Sequence, residues 1–580
     1  MTAGSRRPWC VVGRLGEGRI GLVDVDGSGA RDEPVVLPAA DLAARVAARE
    51  AEDAPRWVWS DTAEWYPALL DAGIRIGRCV DLRLVHAVLR TSQVVREPEP
   101  LRAAAAWDVS PEHLAAEPRG DGTLFSLDGS AGSPTSVPDG LEEALAEFDR
   151  QRAAAESAAE PGRLRLLLAA ESAGALVAAE LHAAGMPWDA AEHDRLLREA
   201  LGPRPHGGQV PVKMAEAAAE TRDALDDRTL SLDSPPRLLR ALRRAGIDVA
   251  STSRWELEAH EHPAIAPLLR YKKLSRLLAA NGWWWIDEWV HDGRYRPVYV
   301  PAGVVTGRWA SSGGGALQIP RQLRPALRAD PGWLLVSADV AQLEPRVLAA
   351  MAGDAAMAAA GAATDLYAGI VETGVVETRT EAKVAVLGAL YGSTTGDSAR
   401  LVPRLRRTFP DAMRLVDRAA EVGEVGGTVT TWLGRSSPPP DPGWSAAQTS
   451  AHLPDASTAE QERAVRAARS RGRFTRNFVV QGTAAEWALA WMADLRLRLA
   501  RFEPVAAERA ARASGPGFDR QAHLAFFLHD EVIVHAPAEQ ADAAATAILA
   551  AADAAGRLLF PGSTVDFPLD LHIAEHAGKA

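Results

Sequence analysis

The residues best suited to chemistry lie in three stretches. In the first, Trp333 to Arg346, the apolar run Trp333 to Ala338 reads as a short buried strand that stops on an acid, Asp339. Val340 to Gly353 reads as a helix, with Leu343, Val347 and Leu348 on one face and Gly353 as its stop. An Asp at a sheet rim is placed to bind a ligand or metal; for this residue alone, a cap on the next helix is an equally good reading. In the second stretch, His523 to His535, two apolar strands flank His529, Asp530 and Glu531, the pattern of a β-hairpin. Acids at the tip of an apolar hairpin are costly unless a cation neutralises them. A divalent ion held between Asp339 and Asp530 would do so, and Mg²⁺ takes such oxygen ligands. In the third, Arg379, Lys383, Leu387 and Tyr391 recur every four residues, so a helix would align them in one stripe. That stripe suits a nucleoside triphosphate lying lengthwise, phosphates on Arg379 and Lys383, sugar and base against Leu387 and Tyr391. Taken alone, it also fits an amphipathic helix with basic residues on its edge.

The elements that must position these groups belong to a chain of 580 residues, long enough for two to four domains. A net charge of −12 argues against a protein that coats nucleic acid generally, but leaves room for a basic cleft. Two cysteines, Cys10 and Cys79, make neither a disulfide framework nor a cysteine zinc site. No apolar leader and no run of about 20 apolar residues is present, so the expectation is a soluble, cytoplasmic protein. Strand signals at Trp9–Val12, Arg19–Asp24 and Pro34–Leu37, and helix signals at Asp61–Gly73 and Asp81–Leu89, give an α/β pattern over residues 1–160. A loop is expected over Gly129–Gly140. From Arg163 the pattern is helical, with helices expected at Leu164–Ala184, Asp189–Leu201, Pro235–Ala245 and Leu268–Trp285. Residues 294–329 carry six arginines and no acid, and a second acid-free run holds Arg463, Arg466, Arg469, Arg471, Arg473 and Arg476. Each reads singly as a solvated helix face; together, bracketing an acidic site, they read as the footprint of a phosphate backbone. The proline-rich stretch from Ser436, continuing to Ala456, reads as mobile.

The order of strand-Asp-x-x-Gln-x-Glu-x-Arg at Asp339 to Arg346, Arg-x-x-x-Lys with Tyr-Gly at Arg379 to Gly392, and His-Asp-Glu at His529 to Glu531 resembles motifs A, B and C of family A DNA polymerases, the bacterial DNA polymerase I type. Thr306-Gly307-Arg308, Leu317 to Pro320, Tyr271 to Leu274, and the series Arg473, Asn477, Gln481 resemble further segments of that family. The resemblance covers about Glu171 to the C-terminus. It implies an α+β multidomain, right-hand polymerase: a mainly helical thumb region over 161–293, then palm and fingers over 294–580, with fingers about 354–485 and the palm hairpin about 521–537. It implies two Mg²⁺ ions on Asp339, Asp530 and the Val340 carbonyl, supported by Glu531, with Lys383 and Arg379 on the triphosphate. Gln342, Glu344, Leu387, Tyr391 and Tyr367 fall at nucleotide-binding positions, Glu344 at the sugar gate. Lys273, Thr306, Arg308, Gln318, Arg473, Asn477, Gln481 and His529 fall at primer–template positions, where contacts read duplex shape and shared minor-groove acceptors. The implied partners are primer–template DNA and deoxynucleoside triphosphates, with no membrane, a monomeric state and a cytoplasmic, nucleoid-associated location.

Departures from the pattern are local. Val340 and Ala341 follow the motif A acid where Tyr-Ser is usual, Pro345 replaces a Leu, Leu387 stands for an aromatic residue, and Tyr367 for a His. Residues 1–160 fall where the family carries a 3′–5′ exonuclease, an α/β ribonuclease H-like domain. Its first strand reads Val11, Val12, Gly13, Arg14 with no acid, so the expectation is an exonuclease-like domain without activity. Asp61, Asp81 and Asp149 are surviving acids there, read as ordinary surface residues. No 5′-nuclease domain is expected. A polymerase with working proofreading on a rearranged acid set, and a non-catalytic primer–template binding protein, are the alternatives.

Overall fold

The computed structural model describes residues 8–109, 136–362, 365–392 and 396–578. Contacts divide the chain into two compact units: 1–185 with 298–313 and 332–573, and 186–297 with 314–331 and 574–580.

The first unit begins with a five-stranded sheet. Strands β1 (Trp9–Gly16), β2 (Arg19–Val25), β3 (Val35–Pro38), β4 (Arg56–Trp59) and β5 (Arg78–Asp81) are ordered β3-β2-β1-β4-β5. β1 to β3 form an antiparallel meander, while β4 and β5 run parallel to β1. Side chains alternate between faces along each strand. Cys10, Val12, Ile20, Leu22 and Trp57 therefore fill one core, and Val11, Val23, Val25 and Val58 the other. Helices α1 (Thr62–Asp71) and α2 (Leu82–Thr91) start on Asp61 and Asp81, whose carboxylates cap them by accepting from the amides of Ala63 and Leu84. α3 (Leu141–Ser157) and α4 (Pro161–Ala184) follow.

α4 is apolar on several sides because it packs against β5, α1, the strand His523–Leu528 and the helix Thr458–Leu499. Its buried Glu180 accepts from Tyr66 at 2.7 Å, Arg75 at 3.0 Å and Arg496 at 2.9 Å. Burial raises the Glu180 pKa, but Arg496 and Arg75 more than offset it, taking it down to about 2.

The second sheet of this unit joins β6 (Trp333–Val340), β7 (His523–Leu528), β8 (Glu531–Pro537) and β9 (Leu569–Ala574) in the order β7-β8-β6-β9. β7 and β8 form the expected hairpin, and β6 pairs antiparallel with β8, placing Asp339 opposite Glu531. Around it stand α5 (Leu343–Ala352), α6 (Leu366–Glu372), α7 (Arg379–Tyr391), the 42-residue α8 (Thr458–Leu499) and α9 (Ala541–Leu559), which covers β6 and β8. A capping box of Ser457 and Glu460 starts α8.

Four details differ from expectation. β6 continues through Asp339 to Val340, and α5 starts only at Leu343, because Gln342 adopts a left-handed conformation (φ 52) that interrupts the chain between them. Asp339 therefore does not cap a helix. Residues 442–451, expected to be mobile, form a helix with Pro442 in its first turn and Asp441 as its cap. The helix expected over Leu268–Trp285 is two helices, Ile265–Asn281 and Trp283–Trp289, parted at Gly282. Asp61 and Asp81, read as surface acids, are 3% and 0% exposed. Residues 129–135 of the expected Gly129–Gly140 loop lie outside the described residues.

The second unit is mainly helical. Helices over 190–201, 212–224, 235–244 and 265–289 close around Leu197, Leu238, Leu242, Leu268, Leu277 and Trp283. A small antiparallel sheet joins Met186–Pro187, Arg294–Tyr295 and Val290–His291.

Candidate active site

Asp339 and Asp530 are brought together by register. Because β6 pairs with β8, the backbone N–H of Val340 donates to the Asp530 carbonyl at 2.9 Å. His529 makes the hairpin turn in a left-handed conformation (φ 56), which sets Asp530 at its tip. Burial, and then the nearby Asp339 carboxylate, pushes Asp530 up to about 7. A carboxylate that is both desolvated and beside another is costly to ionise, and a cation would lower that cost. Among the described residues, no group of three or more His, Cys, Asp or Glu side chains is poised to hold a metal. Two carboxylates this close suit a hard cation that completes its shell with substrate oxygens and water. Glu531 is buried and lies opposite Asp339 in the strand register.

Next to the acids lies a polar cluster that sequence spacing alone did not connect. Glu344, at the start of α5, accepts from Tyr391 at 2.8 Å and forms an ion pair with Arg308. Burial and Glu344 push the Tyr391 hydroxyl up to about 12, so it stays protonated and donates, and Gln481 also hydrogen-bonds it. Arg308 is thus positioned on Glu344, 36 residues away in the chain. The loop carrying it is shaped by close approach: at Gly307 (φ 85) a Cβ would stand 2.7 Å from Nε of Arg435. Arg435 in turn pairs with the buried Glu171 of α4. Thr306 is buried in the same loop, and its hydroxyl has no partner among the described residues. Desolvation, and then Arg308, holds the His529 pKa below its ordinary value.

α7 presents the stripe read from the sequence. Thr378 caps it through the Glu381 amide, and Gly392 (φ 67) ends it against Arg473. Lys383 and Arg379 are exposed and Leu387 is half-buried. Nε of Arg379 donates to Asp365 at 2.5 Å, and its guanidinium lies 5.6 Å above the Tyr367 ring. Asp365 also caps α6 through the amides of Tyr367 and Ala368, and Gln342 accepts from the Leu366 amide at 3.1 Å. One carboxylate thus fixes Arg379 by its Nε and leaves both terminal nitrogens for another anion. Asp365 was missed in the sequence; its signal is a helix-capping Asp two residues before Tyr367.

Arg473, Asn477 and Gln481 lie four residues apart on α8, on one face. The second basic run is less uniform than its composition. Arg476 pairs with Asp417, Arg466 with Glu462, and Arg471 donates to the carbonyls of Gly427 and Pro438. Arg469 and Arg473 make no ion pair among the described residues, and both line a cavity of about 490 Å³ beside Gly388 and Gly392 of α7. Lys273 is exposed on a helix of the second unit, and Gln318 ends a short 3-10 turn of that unit.

The acids of the N-terminal sheet are disposed differently. Asp61 receives Nε of Arg83 at 2.6 Å, and Asp81 receives the amides of Thr62 at 2.8 Å and Leu84 at 2.9 Å. Burial, and then Asp61, pushes Asp81 up to about 6. Asp149 lies outside this group and pairs with Arg31 at 2.5 Å. The Asp61 carboxylate is thus paired with a guanidinium, and that of Asp81 with backbone amides.

The model of DNA polymerase family A matches residues 209–576. DNA polymerase I of Chloroflexus aurantiacus is 30% identical over 347 residues, 54% of this chain and 33% of that protein. The thermostable DNA polymerase I of Thermus aquaticus is 27% identical over 328 residues, 51% of this chain and 35% of that protein. The matched stretch is thus about a third of each relative's length. Among solved structures, the POL domain of Pol1 from M. smegmatis, in complex with DNA primer-template and dNTP, shares the fold with a TM-score of 0.64 at 16% identity. It covers 97% of this chain and 93% of its own.

Proposed function

Since the chain belongs to DNA polymerase family A, we propose that it is a template-directed DNA polymerase, adding deoxynucleotides to a primer 3′-hydroxyl by two-metal phosphoryl transfer. The observation that carries this is the approach of the end of β6 to the hairpin tip, where the Val340 amide donates to the Asp530 carbonyl and Asp339 and Glu344 lie near the Asp530 carboxylate. Asp339, Asp530 and the Val340 carbonyl would hold two Mg²⁺ ions. When bound, such ions supply Lewis-acid activation of the attacking hydroxyl and neutralise charge on the leaving pyrophosphate. Lys383 meets the triphosphate as a mobile ammonium and can give it a proton. Arg379, fixed by Asp365, offers its two terminal nitrogens to the tail phosphates. Leu387 and Tyr391 border the sugar and base, and Glu344, tied to Tyr391 and Arg308, crowds the position of a ribose 2′-hydroxyl. Tyr367 can donate a hydrogen bond where a His is usual. Arg308, Arg473, Asn477, Gln481 and His529, with Thr306, Lys273 and Gln318, take the primer–template.

Residues 1–160 are read as an exonuclease-like domain without proofreading activity; what supports this is that β1 has no acid and that Asp61 is paired with Arg83. The biological setting is repair or replication, in a monomer. Among the described residues no helix is long and apolar enough to cross a membrane.

Primer extension tests the reading: in Mg²⁺ the chain extends a primer with the deoxynucleotide that matches the template. A chain that binds the junction but never extends it is the non-catalytic binding protein instead. Incubation without nucleotides leaves a mismatched 3′ end intact; its removal would show working proofreading.

A further inference from the structure

Arg308 pairs with Glu344 and lies within electrostatic reach of His529 and Asp530. It is carried by a turn over residues 304–308. The Gly307 amide closes that turn on the Val304 carbonyl at 2.8 Å, and the Val304 amide donates to the Arg308 carbonyl at 3.0 Å. One side of the turn, Val304 and Val305, is exposed to solvent. The other side, Thr306, Gly307 and Trp309, is buried, so whatever fixes the origin of the Arg308 side chain acts from there.

The buried side meets a hairpin over residues 429–437. The Ser437 amide closes this hairpin on the Val429 carbonyl at 2.8 Å, and the Thr431 amide donates to the Arg435 carbonyl at 2.9 Å. The Arg435 guanidinium lies directly on Gly307: a Cβ there would stand 2.7 Å from Nε and 3.0 Å from Cζ. Arg435 is 9% exposed and pairs with Glu171 of α4, which is 1% exposed. Burial raises the Glu171 pKa, and Arg435 opposes that rise. The hairpin is itself held. The Thr431 hydroxyl and the Leu433 amide both donate to the buried Glu486 of α8, and the Ser436 hydroxyl accepts from the Gln93 amide at 2.8 Å.

Two close approaches hold the flanks of the turn to the same two helices. On α8, a Cβ at Gly482 would stand 2.4 Å from Cγ2 of Thr431 and 3.1 Å from the Thr306 carbonyl oxygen. On α4, Gly174 is three residues from Glu171 on the same face, and a Cβ there would stand 3.6 Å from the Trp309 ring. A buried ion pair is commonly no more stabilising than apolar side chains of similar volume. Stability alone therefore does not account for a guanidinium seated on Gly307.

We propose that Arg435 is a positioning residue for primer extension: clamped by Glu171, its guanidinium fixes the backbone at Gly307 and so sets where Arg308 meets Glu344 and the primer end. This rests on the reading of Arg308 as a primer–template contact.

A double-mutant cycle tests it. Single-nucleotide extension and primer–template affinity are measured for the parent, Arg308→Ala, Arg435→Lys and the double variant, at a temperature where circular dichroism shows each folded. Arg308→Ala should slow extension about 10²-fold. Arg435→Lys keeps the charge but loses the planar fork, and should slow extension about tenfold with KM for the nucleotide within about twofold of the parent. The double variant should be no slower than Arg308→Ala, within about twofold, because Arg435 acts through Arg308. A merely structural Arg435 would lower the thermal midpoint equally in both backgrounds and leave the two losses multiplicative, about 10³-fold together. That result overturns the proposal, as does extension at the parent rate by both Arg435→Lys and Glu171→Gln. Glu171→Gln should reproduce Arg435→Lys and takes its place in the cycle if that variant does not fold. A parent that binds the junction but does not extend it sinks the polymerase reading alone. The cycle is then read in junction affinity, where coupled losses support the clamp and independent losses, or none from Arg435→Lys, overturn it.

Discussion

Two pairs of aspartates sit near strand ends in the first unit, and they solve the same electrostatic problem in opposite ways. At the N-terminal sheet, Asp61 and Asp81 are sealed from water, and the protein brings its own cation, Arg83, at 2.6 Å. At the second sheet, Asp339 and Asp530 are half-buried, and Asp530 has no ion-pair partner among the described residues; its pKa is pushed up to about 7 by burial and by Asp339. A carboxylate pair with a built-in guanidinium is a structural element, since removal of that cation leaves charges buried and unmatched. Asp530, half-buried beside a second carboxylate and with no ion pair of its own among the described residues, suits an outside cation and the phosphates that come with it. Acids at strand ends are therefore not enough to mark a catalytic site; what else fills the space beside them decides.

The largest effect should come from breaking the open pair. Asp339→Ala should lower single-turnover primer extension by at least about 10³-fold, the order lost when a main electrostatic contributor is removed. Junction affinity, set mostly by phosphate contacts, should change little. Loss of binding and extension in parallel would mean that Asp339 holds the fold, not the chemistry.

Arg83→Met attacks the closed pair. It should destabilise the chain by about 3–5 kcal/mol, read as a lower thermal midpoint, with Asp61→Asn in the same background restoring part of the loss. At a temperature where the variant is folded, extension should match the parent. A variant of normal stability would contradict the closed-pair reading.

The second unit holds a buried titratable group of another kind, which sharpens the point that burial selects the neutral form where no counter-ion is supplied. Nε2–H of His193 donates to the Asn281 carbonyl at 3.0 Å, and Nδ1 accepts from the Trp188 indole at 3.3 Å, so both nitrogens are used by the neutral ring. Burial lowers its pKa from 6.5 to about 4. The folded state therefore binds fewer protons than the unfolded chain in this window. The stabilisation is complete above pH 6.5 and is lost as the pH falls through about 4. Acidification from pH 7 to 4.5 should remove about 2–3 kcal/mol through this group, measured as falling urea midpoints, and His193→Gln should flatten that slope. A parent with flat midpoints would contradict it.

The smallest effect should come from Asp365→Asn, which keeps the cap on α6 but removes the charge holding Arg379. KM for the incoming nucleotide should rise about 3–10-fold, equivalent to about 1 kcal/mol of a charge-assisted hydrogen bond, with kcat nearly unchanged. A fall in kcat with constant KM would mean that Arg379 acts mainly in the transition state.

Much of the site was legible in the sequence because its signals are local. The apolar runs around Asp530 predict a hairpin, and the four-residue spacing of Arg379, Lys383, Leu387 and Tyr391 predicts a helix; both are present. The end of β6 was misplaced because a single left-handed residue, Gln342, separates strand from helix, and no propensity marks it. The helix at 442–451 was hidden by prolines, although Asp441 followed by Pro442 is itself a start signal. The pairings were not legible at all. Arg83 meets Asp61 only because β4 and β5 lie side by side, and Arg476 meets Asp417 from another helix. Composition counts charges but does not say which ones the fold has already spent on one another.

The most direct test sets the two pairs against each other in one assay. Asp530→Asn and Asp61→Asn are compared in single-nucleotide extension, at a temperature where circular dichroism shows both folded. Asp530→Asn should lose about 10³-fold or more in rate with junction affinity within about threefold of the parent, while Asp61→Asn should extend at the parent rate and melt earlier. Equal rates for the two variants, or a slow Asp61→Asn chain of normal stability, would contradict the assignment of the chemistry to Asp339 and Asp530.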